Sequence, residues 1–596
     1  MKQTTLILTL MLCMAGSLQA TTRLRDLVFM PISQPNLHHS HGYVEHRIRI
    51  TNESHQNRYN VKLVAPAQSY SWGDSIEHIE RTVLIDPGVT VNVTLPQPAL
   101  NLAGSSQVRV YVNGSDWGTA GLSSIHSGHS GTSAQSSILC SRSINGQAFC
   151  DAIGKKFAKN NKHTPKYNIT RSELELPEWS DNWLAYSCYD AILLHASDIA
   201  ALPTTIREAL YQYITAGGVL AVAGTLQMPF GWKGIPNGNH TDYSKYHTGF
   251  GQLLLFKTNE FKNLEVNQMR SLLDAAKATK KPWSSTLTIE KAIKIFPVVN
   301  DMSLPTRGMF LIMLIFAIII GPVMLIVLAR KNKRIWLLWM APSFSFIVCV
   351  LISIYSMFSE GITPSVRIES MTLLNQKTHR AVTIGMLGLY CPLTPSGGLH
   401  LSKQTELSSY ITRGYNKGSQ KSINWTRDQH LSRGWVSARI PAFFRIRIPE
   451  TRRERLGITK TENGLQVING LGADIKELWL HDYDGRWFTL EKELASGAKA
   501  TLSSTPKPSS HSSDMRSIYK ANKWTESFNR ILDCRSTLVQ PNMYIAVLDG
   551  APFMNHGLSG KVNEHSLSYV IGTFQGAAGK NNIPNSSKSQ TPEPGI

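Results

Sequence analysis

Histidine side chains crowd two short stretches of the chain, where imidazole nitrogens could bind a transition metal. The stretch "HHSHGYVEH" starts at residue 38, and "HSGH" starts at residue 126. The histidines are His38, His39, His41, His46, His126 and His129. Structural metal sites usually combine cysteine, histidine or carboxylate ligands at a regular helix or turn spacing, and the spacing here is irregular. The sequence therefore favours no metal site in either stretch.

Two further motifs bear on cofactors. "HDYDG" (481–485) begins like a calcium loop but lacks the later ligands, so Asp484-Gly485 instead predicts a hairpin turn. A glycine-rich phosphate loop ending in Lys-Ser or Lys-Thr is absent from the sequence. We expect no cofactor.

Two apolar runs, 308–328 and 335–357, contain no charged residue and are 21 and 23 residues long. A helix of roughly 20 residues crosses the hydrocarbon layer of a bilayer. The alternative is a pair of buried core helices, which usually carry polar residues on one face, and neither run has such a face. Residues 1–20 have a lysine, an apolar stretch and Ala20, the pattern of a secretory signal peptide or of an uncleaved anchor.

The short loop 329–334 fixes the predicted orientation. Export after a signal peptide places the first helix inward and leaves the loop in the cytoplasm, and its basic residues agree with the positive-inside rule. They are Arg330, Lys331, Lys333 and Arg334. Both large flanks are therefore predicted outside the cytoplasm, anchored in the inner membrane.

Cysteine usage fits an exported chain but leaves its pairing open. Outside the signal peptide and the apolar runs there are Cys140, Cys150, Cys188, Cys391 and Cys534. Export permits disulfides, and an odd number leaves at least one free thiol. Cys140 could pair with Cys150 and Cys391 with Cys534, while no CxxC motif indicates redox or zinc chemistry.

Alternating apolar residues and turn signals predict β-structure in two regions. Residues 21–115 read as an immunoglobulin-like sandwich, with Asp86-Pro87-Gly88 joining two strands. A Gly/Ser/His-rich linker is predicted at 116–136. Residues 360–575 read as one or two further β-rich units, and 576–596 as a disordered tail.

Residues 137–305 have the pattern of a doubly wound α/β domain. A buried strand at Ala191–Leu194 is followed by a helix opened by Pro203, then by a glycine pair and the strand "VLAVAG". In such sheets ligands bind at the carboxyl ends of the strands. The predicted ligand pocket is formed by His195, Ser197, Asp198, Gly224 and Thr225.

The stretch "YDAILLHASDIAALPTTIREALYQYITAGGVLAVAG" resembles the class I glutamine amidotransferase-like domains of membrane-anchored bacterial envelope proteins, as does the order of the predicted segments. Active members of that class have a nucleophilic cysteine on a strand-to-helix turn and a later His-x-Glu. Here the matching strand end is Val222–Thr225, without Cys or Ser, and His78-Ile79-Glu80 lies in the preceding β-domain. The resemblance therefore implies the scaffold without its catalyst, and no catalytic residue is predicted. Cys188 precedes a strand and reads as a packed thiol.

The chain is basic, with a net charge of +20, and residues 411–460 hold twelve Lys and Arg against three acids. Such charge favours anionic lipid or an acidic envelope polymer, although a solvated basic face explains it equally well. Export disfavours a nucleic-acid partner. The predicted patch is Arg445, Arg447, Arg452, Arg453 and Arg455.

Together these patterns predict a non-enzymatic, membrane-anchored envelope protein whose exported domains bind a partner protein or polymer. Two alternatives stay open at this point. One is an envelope hydrolase whose site is assembled from distant loops, and the other is an accessory subunit of an envelope transport complex.

Overall fold

The computed structural model describes residues 21–34, 41–66, 73–98, 107–122, 135–159, 167–225, 229, 231–236, 243–284, 289–299, 306–330, 336–360, 363–410, 417–461, 464–505 and 541–574. The predicted signal peptide and C-terminal tail lie outside these residues. The prediction of a β-rich chain is confirmed, since most of the regular structure is strand.

The N-terminal part forms two packed β-sheets. Its strands are β1 (Thr22–Leu24), β2 (Leu27–Pro31), β3 (Tyr43–Asn52), β4 (Tyr59–Pro66), β5 (Gly73–Ile85), β6 (Thr90–Pro98), β7 (Gln107–Val112) and β8 (Ser115–Gly121). One sheet has the order β1-β2-β3-β6, while β5-β4-β7-β8 belong to the other. Phe29 and Ile48 of the first sheet share a buried core with Val61 and Val110 of the second. The predicted linker at 116–136 is wrong at its start, because β8 occupies those residues.

The middle part is a mixed sheet with helices on both faces. Its elements are β9 (Ser136–Cys140), α1 (Gly146–Lys159), β10 (Tyr167–Arg171), β11 (Ala191–His195), α2 (Ala196–Ala201), α3 (Thr204–Thr215), β12 (Val219–Ala223), β13 (Ile235–Pro236), β14 (Tyr243–Thr248), β15 (Gly251–Phe256), α4 (Val266–Ser284) and α5 (Ile289–Ile295). The strand order is β10-β9-β11-β12-β15-β14-β13, with the first five strands parallel. Separate apolar cores cover its two faces, one formed with α3 and the other with α1 and α4.

The sequence explains α3 well. Ile206, Leu210 and Ile214 recur at helical spacing and are buried against the sheet. The helix ends before Gly217, whose φ of +119° suits glycine and reverses the chain into β12.

The apolar segment consists of α6 (Thr306–Ile318), a π-helical turn (Ile319–Val323), α7 (Met324–Arg330) and α8 (Leu337–Glu360). The turn contains Pro322, which lacks the backbone N–H needed for a regular helical hydrogen bond. Within the described residues, one helical stretch is long and apolar enough to cross a membrane, the 19 residues Phe310–Leu328. The apolar stretch of α8 is shorter, Leu338–Ile354. The two pack together, with the rings of Phe316 and Phe344 stacked 6.1 Å apart.

The C-terminal part adds β16 (Ser365–Asn375), β17 (Arg380–Tyr390), β18 (Leu399–Leu401), β19 (Glu406–Ser409), β20 (Lys417–Asn424), β21 (Gln429–Arg433), β22 (Ala442–Thr451), β23 (Arg455–Thr461), β24 (Gly464–Gly470), β25 (Asp474–His481), β26 (Trp487–Thr489), β27 (Lys499–Thr505), β28 (Met543–Asp549) and β29 (Asn563–Thr573). Eleven of these strands form one sheet in the order β19-β22-β17-β16-β29-β28-β25-β26-β27-β24-β23.

The remaining three C-terminal strands complete an N-terminal sheet, whose order is β18-β21-β20-β5-β4-β7-β8. The contact between the halves is the parallel pair β5–β20, in which Asn424 lies opposite Glu80. The β-rich region after the apolar segment is therefore joined to the N-terminal part, because residues on both sides of that segment build one sheet and share one hydrophobic core.

Candidate functional site

The strand order reverses between β9 and β11, so a crevice is expected at the carboxyl ends of these two strands. The chain runs from β9 to β10 on one side and then crosses to β11 on the other side. At such a reversal the connections diverge and leave a depression, where α/β proteins usually bind ligands. Ser141 and Ser143 follow β9 here, and His195 and Asp198 follow the buried part of β11.

Asp198 organises this edge of the sheet. One of its carboxylate oxygens, Oδ2, accepts hydrogen bonds from the Ser141 hydroxyl at 2.6 Å, the Ser143 hydroxyl at 2.8 Å and the His195 backbone N–H at 2.9 Å. The carboxylate also lies in the first turn of α2, where negative charge is favourable. Asp198 is buried, and these donors satisfy its charge. The arrangement holds the loop after β9 against the start of α2.

The arrangement does not form a nucleophile–base pair. The hydroxyl of Ser141 donates to Asp198 and lies 2.8 Å from the Ser143 hydroxyl, and no described hydrogen bond joins it to an imidazole. The His195 ring lies beside Phe261 instead, with 6.1 Å between the ring centroids. A serine nucleophile needs an adjacent base to remove its proton, so the described geometry provides a structural tie.

The structure brings together only part of the pocket predicted from sequence. His195 and Asp198 adjoin the crevice. A side chain at Gly224, where φ is +103°, would lie 3.1 Å from Cβ of Ala196. Ser197 and Thr225 are exposed. Sequence reasoning missed Ser141 and Ser143, although two serines directly after the buried strand "SILC" are a usable signal.

The amidotransferase-like relay has no counterpart in the described geometry. Gly224 and Thr225 follow β12, whereas His78 and Glu80 lie on β5 in the N-terminal sandwich. The buried thiol of Cys188 is 3.9 Å from the carbonyl oxygen of Ala185. Burial raises the pKa of the Cys140 thiol to about 12, which keeps it protonated and unreactive at neutral pH.

A cavity of about 320 Å³ lies between the middle part and the eleven-stranded sheet. Volumes of this size admit a small organic ligand. On one side Arg380, at the start of β17, forms an ion pair with Glu208 of α3 and lies 4.5 Å over the Tyr211 ring. The other lining residues include the apolar Val382, Ile571, Met543 and Pro449. The cavity therefore combines apolar walls with charged groups, and both parts of the chain contribute to it.

A buried polar junction ties all three parts together. His41 of the N-terminal part bonds Asp190 at 2.7 Å, with both side chains 1% exposed. From the C-terminal part, Arg447 pairs with Glu406 and donates from its guanidinium to the carbonyl oxygens of Ala216 and Ser187 in the middle part, at 3.4 and 3.5 Å. Unpaired buried charge is costly, so these contacts specify one arrangement of the three parts.

The predicted basic patch needs correction. Arg445 and Arg447 are 6% and 3% exposed. Arg447 faces backbone carbonyl oxygens of the middle part, and Arg445 lies 5.6 Å over the Tyr410 ring. Arg452 pairs with two glutamates, at 2.8 and 3.3 Å. Arg453 and Arg455 are exposed. Of the five residues, two are therefore available at the surface without a described carboxylate partner.

The described residues of the histidine and acidic motifs make contacts within the fold. His41 and His46 are buried and bond Asp190 and Gln97, while His38, His39, His126 and His129 lie outside the described residues. In "HDYDG" the Arg486 guanidinium lies 2.8 Å from the Asp484 carboxylate, and Gly485 has the φ of +77° expected of a hairpin. No group of three metal-binding side chains converges within the described part of the chain.

The cysteines and the predicted cytoplasmic loop are only partly described. Cys140, Cys150, Cys188 and Cys391 are free thiols, so the pairing of Cys140 with Cys150 is wrong, and Cys534 lies outside the described residues.

Of the predicted cytoplasmic loop, Arg330 is exposed at the end of α7, while Lys331, Lys333 and Arg334 lie outside the described residues.

Comparison with known proteins identifies no family for the chain. No family model and no curated protein matches the chain. Among solved structures, the yeast delta-COP-I mu-homology domain bound to a Dsl1 WxWxV peptide is similar over 35% of this chain and 96% of its own, at 9% identity and a TM-score of 0.16. That score is too low to carry an argument about fold or function.

Proposed function

We propose that this protein is a non-enzymatic, membrane-anchored protein of the bacterial envelope. In this proposal α6–α7 and α8 cross the inner membrane as a hairpin. The parts before and after the hairpin form one exported head that binds a ligand or an envelope partner. The proposal includes the resemblance to amidotransferase-like domains, and in it the middle part is a scaffold used for binding.

The observation that carries this proposal is the sheet built from both sides of the apolar segment. β5 precedes the segment and β20 follows it, yet they are hydrogen-bonded neighbours. A single crossing by Phe310–Leu328 would put these strands on opposite sides of a membrane. Two crossings keep them together, so α8 supplies the return even though its apolar stretch is the shorter one.

The exposed surface of the helices supports membrane insertion. Phe310, Leu338 and Trp339 are 69%, 75% and 76% exposed, and aliphatic neighbours continue this surface along both helices. Soluble monomers rarely expose an apolar surface of this extent. Lipid chains would cover it without cost.

Binding, rather than catalysis, is supported by the two candidate sites. The carboxylate of Asp198 is already bonded to three donors of the protein itself. The cavity beside Arg380 and Tyr211 offers volume and mixed polarity, and it lies between two parts of the head, a usual place for ligand sites.

Single-cysteine variants and a membrane-impermeant thiol reagent test on which side of the inner membrane each part of the chain lies. The reagent is added to cells whose outer layer is permeable and whose inner membrane is intact. Leu84 and Tyr483 are 49% and 74% exposed and lie before and after the hairpin. Leu84→Cys and Tyr483→Cys should both react from outside, whereas Lys331→Cys should react only after the inner membrane is opened. Labelling of positions 84 and 483 from opposite sides would contradict the shared head, and external labelling at position 331 would contradict the hairpin.

A further inference from the structure

Both ends of the hairpin join the same end of the eleven-stranded sheet. Ser365, the first residue of β16, follows Glu360, the last residue of α8, by five residues, so the two lie at most roughly 18 Å apart. On the other side, Phe296 precedes α6 and packs on Phe443 of β22 with 6.4 Å between the ring centroids. Ser365 pairs with Tyr390, so the ends of β16 and β17 meet here.

Two loops extend from this end of the sheet and expose large apolar side chains. One loop follows β17 and the other precedes β22, whose adjacent ends pair Leu389 with Ala442. The Arg439 backbone N–H donates to the Cys391 carbonyl oxygen at 2.8 Å, which holds the two loops together. Leu393 and Ile440 are 56% and 55% exposed on these loops. Such exposure has no role within the head.

Basic side chains accompany the apolar ones. Arg439 is exposed next to Ile440, and Lys291 and Lys294 are exposed on α5, which packs against β22 directly before the hairpin. Basic residues next to apolar ones suit the head-group layer, where long cationic side chains reach phosphate while their neighbours reach the acyl boundary.

We propose that Leu393 and Ile440 dip into the outer surface of the bilayer that the hairpin crosses, with Arg439, Lys291 and Lys294 on anionic lipid phosphates. The occupant of this surface is lipid, because both chain connections to the hairpin emerge at the same end of the sheet. This contact would fix the orientation of the head relative to the membrane, which the two short connections alone would leave free to vary. The inference rests on the proposed membrane anchoring.

The full-length protein in liposomes allows a direct test. Position 393 or 440 is changed to cysteine in a chain with Cys13, Cys150, Cys349 and Cys534 replaced by alanine, and it carries an environment-sensitive fluorophore. Doxyl lipids then report contact by quenching. Tyr483→Cys is the matched control, because Tyr483 is 74% exposed beyond the opposite end of the same sheet. A second control restores Cys349, an exposed thiol on α8, as the labelled position.

We expect emission at positions 393 and 440 to shift to shorter wavelength and to be quenched, while position 483 stays unquenched. If Cys349 is quenched but positions 393 and 440 behave like 483, the loop contact is wrong and the anchoring stands. If Cys349 is also unquenched, the anchoring itself is wrong. Quenching at 393 and 440 should increase when phosphatidylglycerol is added to phosphatidylcholine at low salt. Equal quenching in both lipids would overturn the role of the three basic residues.

Discussion

The buried ion pair between Arg447 and Glu406 gives the sharpest stability prediction. The side chains are 3% and 1% exposed, and Arg447 also lies 5.7 Å from the Trp183 ring and faces two carbonyl oxygens of the middle part. Arg447→Met removes one charge and leaves Glu406 buried without its partner. Breaking a buried pair in this way usually costs about 3–5 kcal/mol of unfolding free energy.

A urea titration of the detergent-solubilised protein, followed by tryptophan fluorescence, measures this cost. The matched control is Arg23→Met, which breaks an ion pair to Glu53 with side chains 66% and 42% exposed. Exposed pairs contribute at most about 1 kcal/mol. The double change Arg447→Met with Glu406→Leu should recover much of the loss, since no unpaired charge remains.

The fluorescence transition should also shift as a single step, because the pair joins parts that share a core. If Arg447→Met costs no more than Arg23→Met, the junction is not a buried, charge-paired contact. If only one of two separate transitions moves, the three parts are not interlocked as described.

Three further predictions address local features. Gly42→Ala should prevent docking of the N-terminal part, because φ is +75° and the added Cβ would lie 2.4 Å from the Ser187 backbone; limited proteolysis should then release fragments that the parent chain does not give. Asp198→Ala should destabilise the head by about 1–3 kcal/mol in thermal unfolding, since buried donors lose their acceptor. Burial raises the pKa of Cys391 from 9.0 to about 11, so its stabilising effect is complete below pH 9 and is lost as the pH rises towards 11. Unfolding midpoints of the parent chain should therefore fall more steeply over that interval than those of Cys391→Ala.

Local signals in the sequence predicted local structure well. Pro203 and the apolar spacing from Ile206 to Ile214 predicted α3, and Asp484-Gly485 predicted the turn between β25 and β26. The turn Asp86-Pro87-Gly88 was also located correctly. The two strands that it joins were also predicted, but their entry into different sheets was not, because no local pattern encodes that choice.

Long-range pairing and burial on a second face could not be predicted in this way. β20 pairs with a strand more than 300 residues earlier, and neither segment carries a signal for the other. In "FFRIRI" the alternation of arginine with apolar residues reads as a solvent-exposed face. Arg445 and Arg447 are nevertheless buried, and Arg447 faces backbone carbonyl oxygens of the middle part. At the candidate site, sequence located the strand ends but not the bonds from Ser141 and Ser143 to Asp198.

The central claim is that residues on both sides of the apolar helices build one sheet outside the cytoplasm. Glu80 and Asn424 are opposite each other on β5 and β20, and their side chains are 2.5 Å apart. Glu80→Cys with Asn424→Cys should form a disulfide in growing cells, because the strands are neighbours and the compartment is oxidising. After cleavage at a protease site placed in the 331–335 loop, the two halves should migrate together without reductant and apart with it. Halves that separate without reductant would contradict the account.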